Sequence, residues 1–468
     1  MTGIATVCMA GIYFRLTVLP LVAGGNRHDD DDVSKEMPTP TGNASITTEP
    51  GELRRTISIP QGVALYLGAV LGAGVLLLPG LGASQAGPAS LISWAFDCVL
   101  GIPLALTFAS LAAHTPDAGG VLTYATRAFG PATGTVIGWF YFVAAATAQA
   151  LVALTGAYYV APYLGLSRVG VFAVAGMILF VATAANVWGL KLSGRLQLFF
   201  SGTVAALLLL TIIVALPRVH ALNWTPFDPH GIGAIGKTGV TIFFAFFGWE
   251  AICHLSAEFR DPARSVPRST TLSVGLITLL YVGLAVVTVG TGTYGTSQVN
   301  RTSIARMLAR SIGGAAGEVA SVIALLICLG TANAFIAATS RLGYALSRDG
   351  VFPEPLARLT TKQVPRISVL VVGGWAICCL LLSYDANWTA ENLLIVPDSL
   401  VIIVYLATMV AAIRLFRGPR RWLAILATLM CCALIPFAGV VLVIPAGIAV
   451  IASLYRYRYR YGRRLQQN

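Results

Sequence analysis

Between Pro60 and residue 455 the chain alternates long apolar stretches with short polar breaks. A bilayer-spanning helix needs about 20 mostly apolar residues. Such stretches fall near 60–84, 88–113, 132–163, 169–188, 195–216, 232–256, 270–292, 313–339, 367–384, 392–413, 422–437 and 439–455. The pattern predicts about twelve transmembrane helices, the last two joined tightly. Composition agrees: 56% of the residues are hydrophobic and 11% charged, where a soluble domain carries about 25% charged residues. So little charge cannot cover a water-facing surface of this size. The expected class is an all-α polytopic membrane protein.

The formal charge of +12 is spread thinly over hydrophobic sequence, which points to membrane topology and does not suggest a nucleic-acid partner, so none is expected. If the residues before the first span are cytoplasmic, the inner loops hold 22 Lys and Arg, among them Arg127, Arg264, Arg341, Arg366 and Arg414. The outer loops hold six: Arg168, Arg218, Lys237, Arg301, Arg306 and Arg310. This positive-inside asymmetry predicts an even number of spans, with both ends of the core in the cytoplasm and the protein in the cell membrane. The eight cysteines lie in apolar runs without metal-like or disulfide-like spacing and read as small buried hydrophobes.

Three regions follow. Residues 1–58 read as an N-terminal extension, poorly ordered or produced by a start codon placed too early, with Met37 as a later start. A thirteenth span over residues 2–25 is the alternative. Residues 59–455 form the transmembrane core. Residues 456–468 form a basic cytoplasmic tail, where alternating Tyr and Arg suit anionic headgroups.

The candidate chemistry lies at two interruptions. The first span reads Gly68-Ala69-Val70-Leu71-Gly72-Ala73-Gly74-Val75-Leu76-Leu77-Leu78-Pro79-Gly80. Glycine costs a helix about 1 kcal/mol relative to Ala. Small residues also serve close helix packing, but this density fits a helix broken near the bilayer midplane. Its second half would then offer a positive N-terminus to an anion such as a carboxylate. A dinucleotide loop fits poorly, because Leu77 stands where the third glycine belongs and no strand precedes it. The sixth span carries Thr241-Ile242-Phe243-Phe244-Ala245-Phe246-Phe247-Gly248-Trp249-Glu250. Glu250 is a carboxylate inside an apolar stretch, a functional candidate by its cost; the alternative is a neutral structural acid. Asp97 and Asp398 are weaker cases. His254 lies one turn beyond Glu250. Two interrupted spans five apart point to an inverted-repeat transporter with its site at the repeat interface. No phosphate-binding loop or zinc motif is present, so no enzyme, cofactor or metal site is expected.

The first-span pattern resembles that of the amino acid–polyamine–organocation (APC) permeases. So do the loop His114-Thr115-Pro116-Asp117-Ala118-Gly119-Gly120-Val121-Leu122-Thr123-Tyr124, the exit Ala257-Glu258-Phe259-Arg260-Asp261-Pro262, and the run Ser340–Gly350 followed by Pro353. The segment Gly248–Phe259 further resembles the bacterial branch that exports methionine and branched-chain amino acids. The resemblance implies a LeuT-type fold, with spans 1–5 and 6–10 as inverted repeats, broken helices 1 and 6, and two peripheral spans. It implies that the main-chain amides of Ala73 and Gly74 bind the substrate carboxylate, and that the carbonyls of Val70, Phe244, Ala245 and Phe247 receive its ammonium. Gly72, Gly248 and Trp249 complete the expected substrate site. Many relatives carry a Lys in the middle of the fifth span, but Leu198–Leu210 has no basic residue, so the coupling role falls to Glu250. The expected function is secondary transport of amino acids, as efflux of methionine, leucine, isoleucine and valine, with protons as coupling partner. An uptake permease or an amine/polyamine carrier is the alternative. A channel would need a ring of polar or charged pore residues, and none is seen.

Overall fold

A computed structural model describes residues 57–114, 120–189, 194–250, 253, 259–361 and 363–467. The apolar stretch at 2–25 and Met37 lie outside the described residues, as do 115–119 of the first loop motif and 251–252 and 254–258, which include His254 and Glu258.

The first span is broken into α1 (Ile59–Val70) and α2 (Ala73–Ala86), and α3 (Ser90–His114) returns through the bilayer. A short helix α4 (Val121–Phe129) precedes α5 (Pro131–Leu164), α6 (Arg168–Val187) and α7 (Gly194–Ala215). The second half opens with α8 (Ile232–Ile242), which tightens into a 3-10 turn at Phe243–Phe246, and continues with α9 (Pro262–Gly290). Two short helices, α10 (Ser297–Arg301) and α11 (Ser303–Ile312), precede α12 (Gly314–Arg348), α13 (Arg366–Asp385) and α14 (Ala390–Leu415). The peripheral pair is α15 (Pro419–Ala438) and α16 (Val443–Gln467). Punctuation follows local chemistry. Pro131, Pro262 and Pro419 stand at helix starts, where the missing N–H costs nothing, and Gly165 ends α5 in the left-handed region.

Apart from the interruptions at residues 71–72 and 247–250, the apolar stretches expected to span are essentially helical over their described residues. Among them, nine segments are long and apolar enough to cross a membrane; Ile59–Val70, Ile232–Phe246 and Val443–Tyr457 are shorter apolar helices. Helix α3 packs on α9, α5 on α12, and α6 on α13, so the second, third and fourth spans each lie against the seventh, eighth and ninth. Helix α4 follows the second span just as α10 and α11 follow the seventh. Both features are what a pseudo-twofold axis in the membrane plane would produce, and the fold is the LeuT-type five-plus-five inverted repeat.

Two sequence expectations change. The loops at 114–130 and 301–310 contain helices, whose apolar faces are buried at Val121, Leu122, Tyr124 and Ala125 and at Ile304, Ala305, Met307 and Leu308. They are too short and too amphipathic to stand out as apolar runs. The cysteines are not all buried: Cys378 is exposed and Cys379 and Cys432 half-buried, on the outer surfaces of α13 and α15. That surface is apolar, with Met177, Phe180, Phe199, Ile213, Leu279, Leu381, Trp422 and Leu429 more than half exposed. An apolar thiol is tolerated there by lipid. Helix α16 runs without interruption past residue 455 to Gln467.

Candidate functional site

Both interruptions sit where glycine stands among apolar residues. Leu71 (φ −81, ψ 46) and Gly72 (φ −84, ψ −145) leave helical geometry, and α2 begins at Ala73 without a side-chain cap. Its first-turn N–H groups have no intrahelical partner and carry the positive end of the helix dipole. Pro79 lies inside α2 rather than at the break. In the sixth span Phe247 is extended (φ −69, ψ 119) and Gly248 has φ +132, a region that favours glycine. A Cβ at Gly248 would stand 2.8 Å from the Ala69 carbonyl oxygen, and one at Gly74 would stand 3.2 Å from the Ala245 Cα. The glycines let the two interrupted backbones touch.

A cavity opens between them. It is lined by Ala69, Val70, Gly72, Ala73 and Gly74 from the first span, Phe244 and Phe247 from the sixth, Ala148, Gln149 and Val152 from α5, and Thr331 and Phe335 from α12. Six of the nine residues expected at a substrate site are therefore on its wall. Ala245, Gly248 and Trp249 are not. Ala245 backs Gly74. The Gly248 N–H donates to Glu250 Oε2 at 3.1 Å and to the Tyr405 hydroxyl oxygen at 3.2 Å. Trp249 turns the other way past Gly248 and packs on Tyr66, with ring centroids 5.4 Å apart. Of the aromatic cluster in the sixth span, only Phe244 and Phe247 reach the cavity. Phe243 packs on Tyr405 and Phe246 on Tyr281.

Tyr281 on α9 ties the two interruptions together. Its hydroxyl lies 2.9 Å from the Val70 carbonyl oxygen and 2.7 Å from that of Ala245, and its one proton serves them in turn. The Phe244 carbonyl accepts from the Phe247 N–H at 3.1 Å. Three of the four carbonyls expected to receive an ammonium thus lie within hydrogen-bond reach of a protein donor, two of them sharing one proton. Nothing in the sequence singles out Tyr281 beyond its place in mid-span, where a hydroxyl must find a partner.

Glu250 is fully buried and lies behind the cavity wall, not on it. The Tyr141 hydroxyl donates to Oε1 at 2.8 Å and the Tyr405 hydroxyl donates to Oε2. The Tyr405 oxygen is also 3.0 Å from the Phe246 carbonyl. Asp97 and Asp398 are buried on α3 and α14, away from the cavity lining; both oxygens of Asp97 and Oδ1 of Asp398 have no hydrogen-bond partner among the described residues. Where a basic residue was sought on the fifth span, α7 presents Ser201, whose hydroxyl donates to the Ala64 carbonyl of α1 at 2.7 Å.

The amino acid permease family model matches residues 62–463. The uncharacterized amino acid permease YecA of Bacillus subtilis (strain 168) is 36% identical over 86% of this chain and 96% of its own length. The L-methionine/branched-chain amino acid exporter YjeH of Escherichia coli (strain K12) is 29% identical over 83% of this chain and 92% of its own. The branched-chain amino acid permease BcaP of Bacillus subtilis (strain 168) is 26% identical over 68% of this chain and 72% of its own. With two interrupted helices around one cavity and a family match over most of its length, the chain belongs to the amino acid permease family, as a multi-pass membrane transporter and not an enzyme.

Proposed function

We propose that the protein exports neutral, apolar amino acids of the methionine, leucine, isoleucine and valine class across the cell membrane. The observation that carries the substrate class is the cavity wall. One side is the uncapped start of α2, suited to a carboxylate. The rest is mostly apolar, with Val152, Phe244, Phe247 and Phe335 and no ionisable side chain among the described residues. Such a wall suits a zwitterion with an apolar side chain and disfavours a polyamine, which would want acids. The relatives YjeH and BcaP are both named for branched-chain amino acids, and only the first is named an exporter.

The orientation we propose places both ends of the core in the cytoplasm. Contacts between loops support the alternation this needs. On the side read as inner, Arg414 reaches the Ala128 carbonyl and Arg366 that of Val187. On the side read as outer, Arg168 reaches the Tyr384 carbonyl and Arg301 pairs with Glu391. No contact in this set mixes the sides.

Glu250 is proposed as the proton-responsive group. When ionised it accepts from Tyr405. When protonated it can donate to the Tyr405 oxygen, and the Tyr405 proton then turns to the Phe246 carbonyl, 3.0 Å away. Protonation would thus change a hydrogen bond to the interrupted sixth span, next to the Phe247 that lines the cavity.

Direction is tested in cells. Overexpression should raise tolerance to toxic analogues of methionine or leucine and lower the retention of preloaded radiolabelled leucine. Greater sensitivity would replace export with uptake, and an unchanged phenotype at confirmed expression would remove both.

A further inference from the structure

We propose that Oε1 of Gln149 receives the ammonium group of the bound amino acid; this rests on the reading of the cavity as an amino acid site. Gln149 stands on α5, is 1% exposed and lines the same cavity as the start of α2. Its Nε2 donates to the Ala145 carbonyl one turn back at 2.8 Å, which fixes which end of the amide is nitrogen. The other end, Oε1, is buried without a hydrogen-bond partner. An acceptor left unpaired in a buried place is costly, and such groups are nearly always satisfied in the working state of a protein.

The chemistry of the substrate decides what satisfies it. In a zwitterion with an apolar side chain the ammonium carries the hydrogen-bond donors; the carboxylate only accepts and the side chain does neither. Backbone acceptors nearby are partly engaged: the Val70 and Ala245 carbonyls share the Tyr281 proton and the Phe244 carbonyl takes the Phe247 N–H. Ammonium and carboxylate sit on one carbon. A carboxylate seated on the first turn of α2 therefore keeps the ammonium inside the same cavity, and Gln149 is part of its wall. The amide is neutral, so the site pairs the substrate cation without adding a permanent charge to an empty cavity.

The test uses the purified full-length protein in detergent and compares leucine with 4-methylpentanoate, which keeps the carboxylate and side chain but lacks the ammonium. The readout is the ligand concentration giving half-maximal thermal stabilisation. Gln149→Met keeps the length and removes the amide oxygen. It should raise the leucine value by about tenfold or more, the scale of a lost hydrogen bond to a charged group, and leave the 4-methylpentanoate value unchanged. Gln149→Glu keeps an acceptor and should widen the preference for leucine over 4-methylpentanoate. If Gln149→Met does not fold, the Gln149→Glu arm decides alone. Equal weakening of both ligands in Gln149→Met, no weakening of leucine, or no widened preference in Gln149→Glu would overturn the assignment. If leucine, methionine and valine all fail to stabilise the wild-type protein, the amino acid reading of the cavity falls, and the assignment falls with it.

Discussion

Glu250 takes hydrogen bonds from Tyr141 on α5, Tyr405 on α14 and the Gly248 main chain, so one carboxylate joins the sixth span to two others. Glu250→Gln keeps the size and one accepting oxygen but cannot titrate. We expect it to retain exchange of substrate for substrate and to lose accumulation driven by a pH gradient, both read in proteoliposomes. Unchanged pH-driven accumulation would leave Glu250 with a structural role only. Tyr281→Phe deprives the Val70 and Ala245 carbonyls of their shared donor, at a cost of about 1–3 kcal/mol for the buried groups left unpaired. The expected outcome is a lower unfolding temperature together with weaker leucine binding. Glu250 was legible in the sequence because a carboxylate in an apolar run is rare and expensive. Its tyrosine partners and Gln149 were not, because uncharged polar residues are common in membrane helices and their meeting depends on packing between distant spans.

The two interruptions follow from glycine placement, and each forms for a local reason. Gly248 adopts φ +132 with its α-carbon against the Ala69 carbonyl, so an added methyl is both strained and obstructed. Gly248→Ala should destabilise the protein by about 1–3 kcal/mol, visible as a lower unfolding temperature, and should depress transport. A wild-type melting temperature in that variant would contradict the close approach of the two spans. Both interruptions were legible, the first from Gly72-Ala73-Gly74 and the second from the run at 241–250 with its carboxylate in an apolar stretch. The side each residue faces was not. Trp249 is expected at the substrate site, yet the turn at Gly248 sends its ring to Tyr66. Helices α4 and α11 escaped notice because each buries only one face, and a search for continuous apolar runs passes over an amphipathic helix of nine or ten residues.

At the scale of the molecule, the span pattern and its internal repeat carry the fold. The number of spans and the repeat were readable from apolar periodicity and from two interruptions five spans apart. The pairing of α3 with α9, α5 with α12 and α6 with α13 depends on the pseudo-twofold, which no single segment announces. This symmetry sets the two interrupted helices side by side and leaves one cavity between them, walled by α5 and α12. We therefore propose above all that amino acids cross this protein at the junction of α1, α2 and the interrupted sixth span. Gly74 lies at that junction, where a valine would push branched methyls towards Ala245 and cover the amides of the α2 first turn. The direct measurement is counterflow of radiolabelled leucine and methionine into proteoliposomes preloaded with the unlabelled amino acid, for wild type and Gly74→Val at matched protein content. The account predicts robust counterflow for wild type and background for Gly74→Val, with the variant still inserted and monodisperse. Wild-type counterflow in Gly74→Val, or none for any apolar amino acid in wild type, would contradict it.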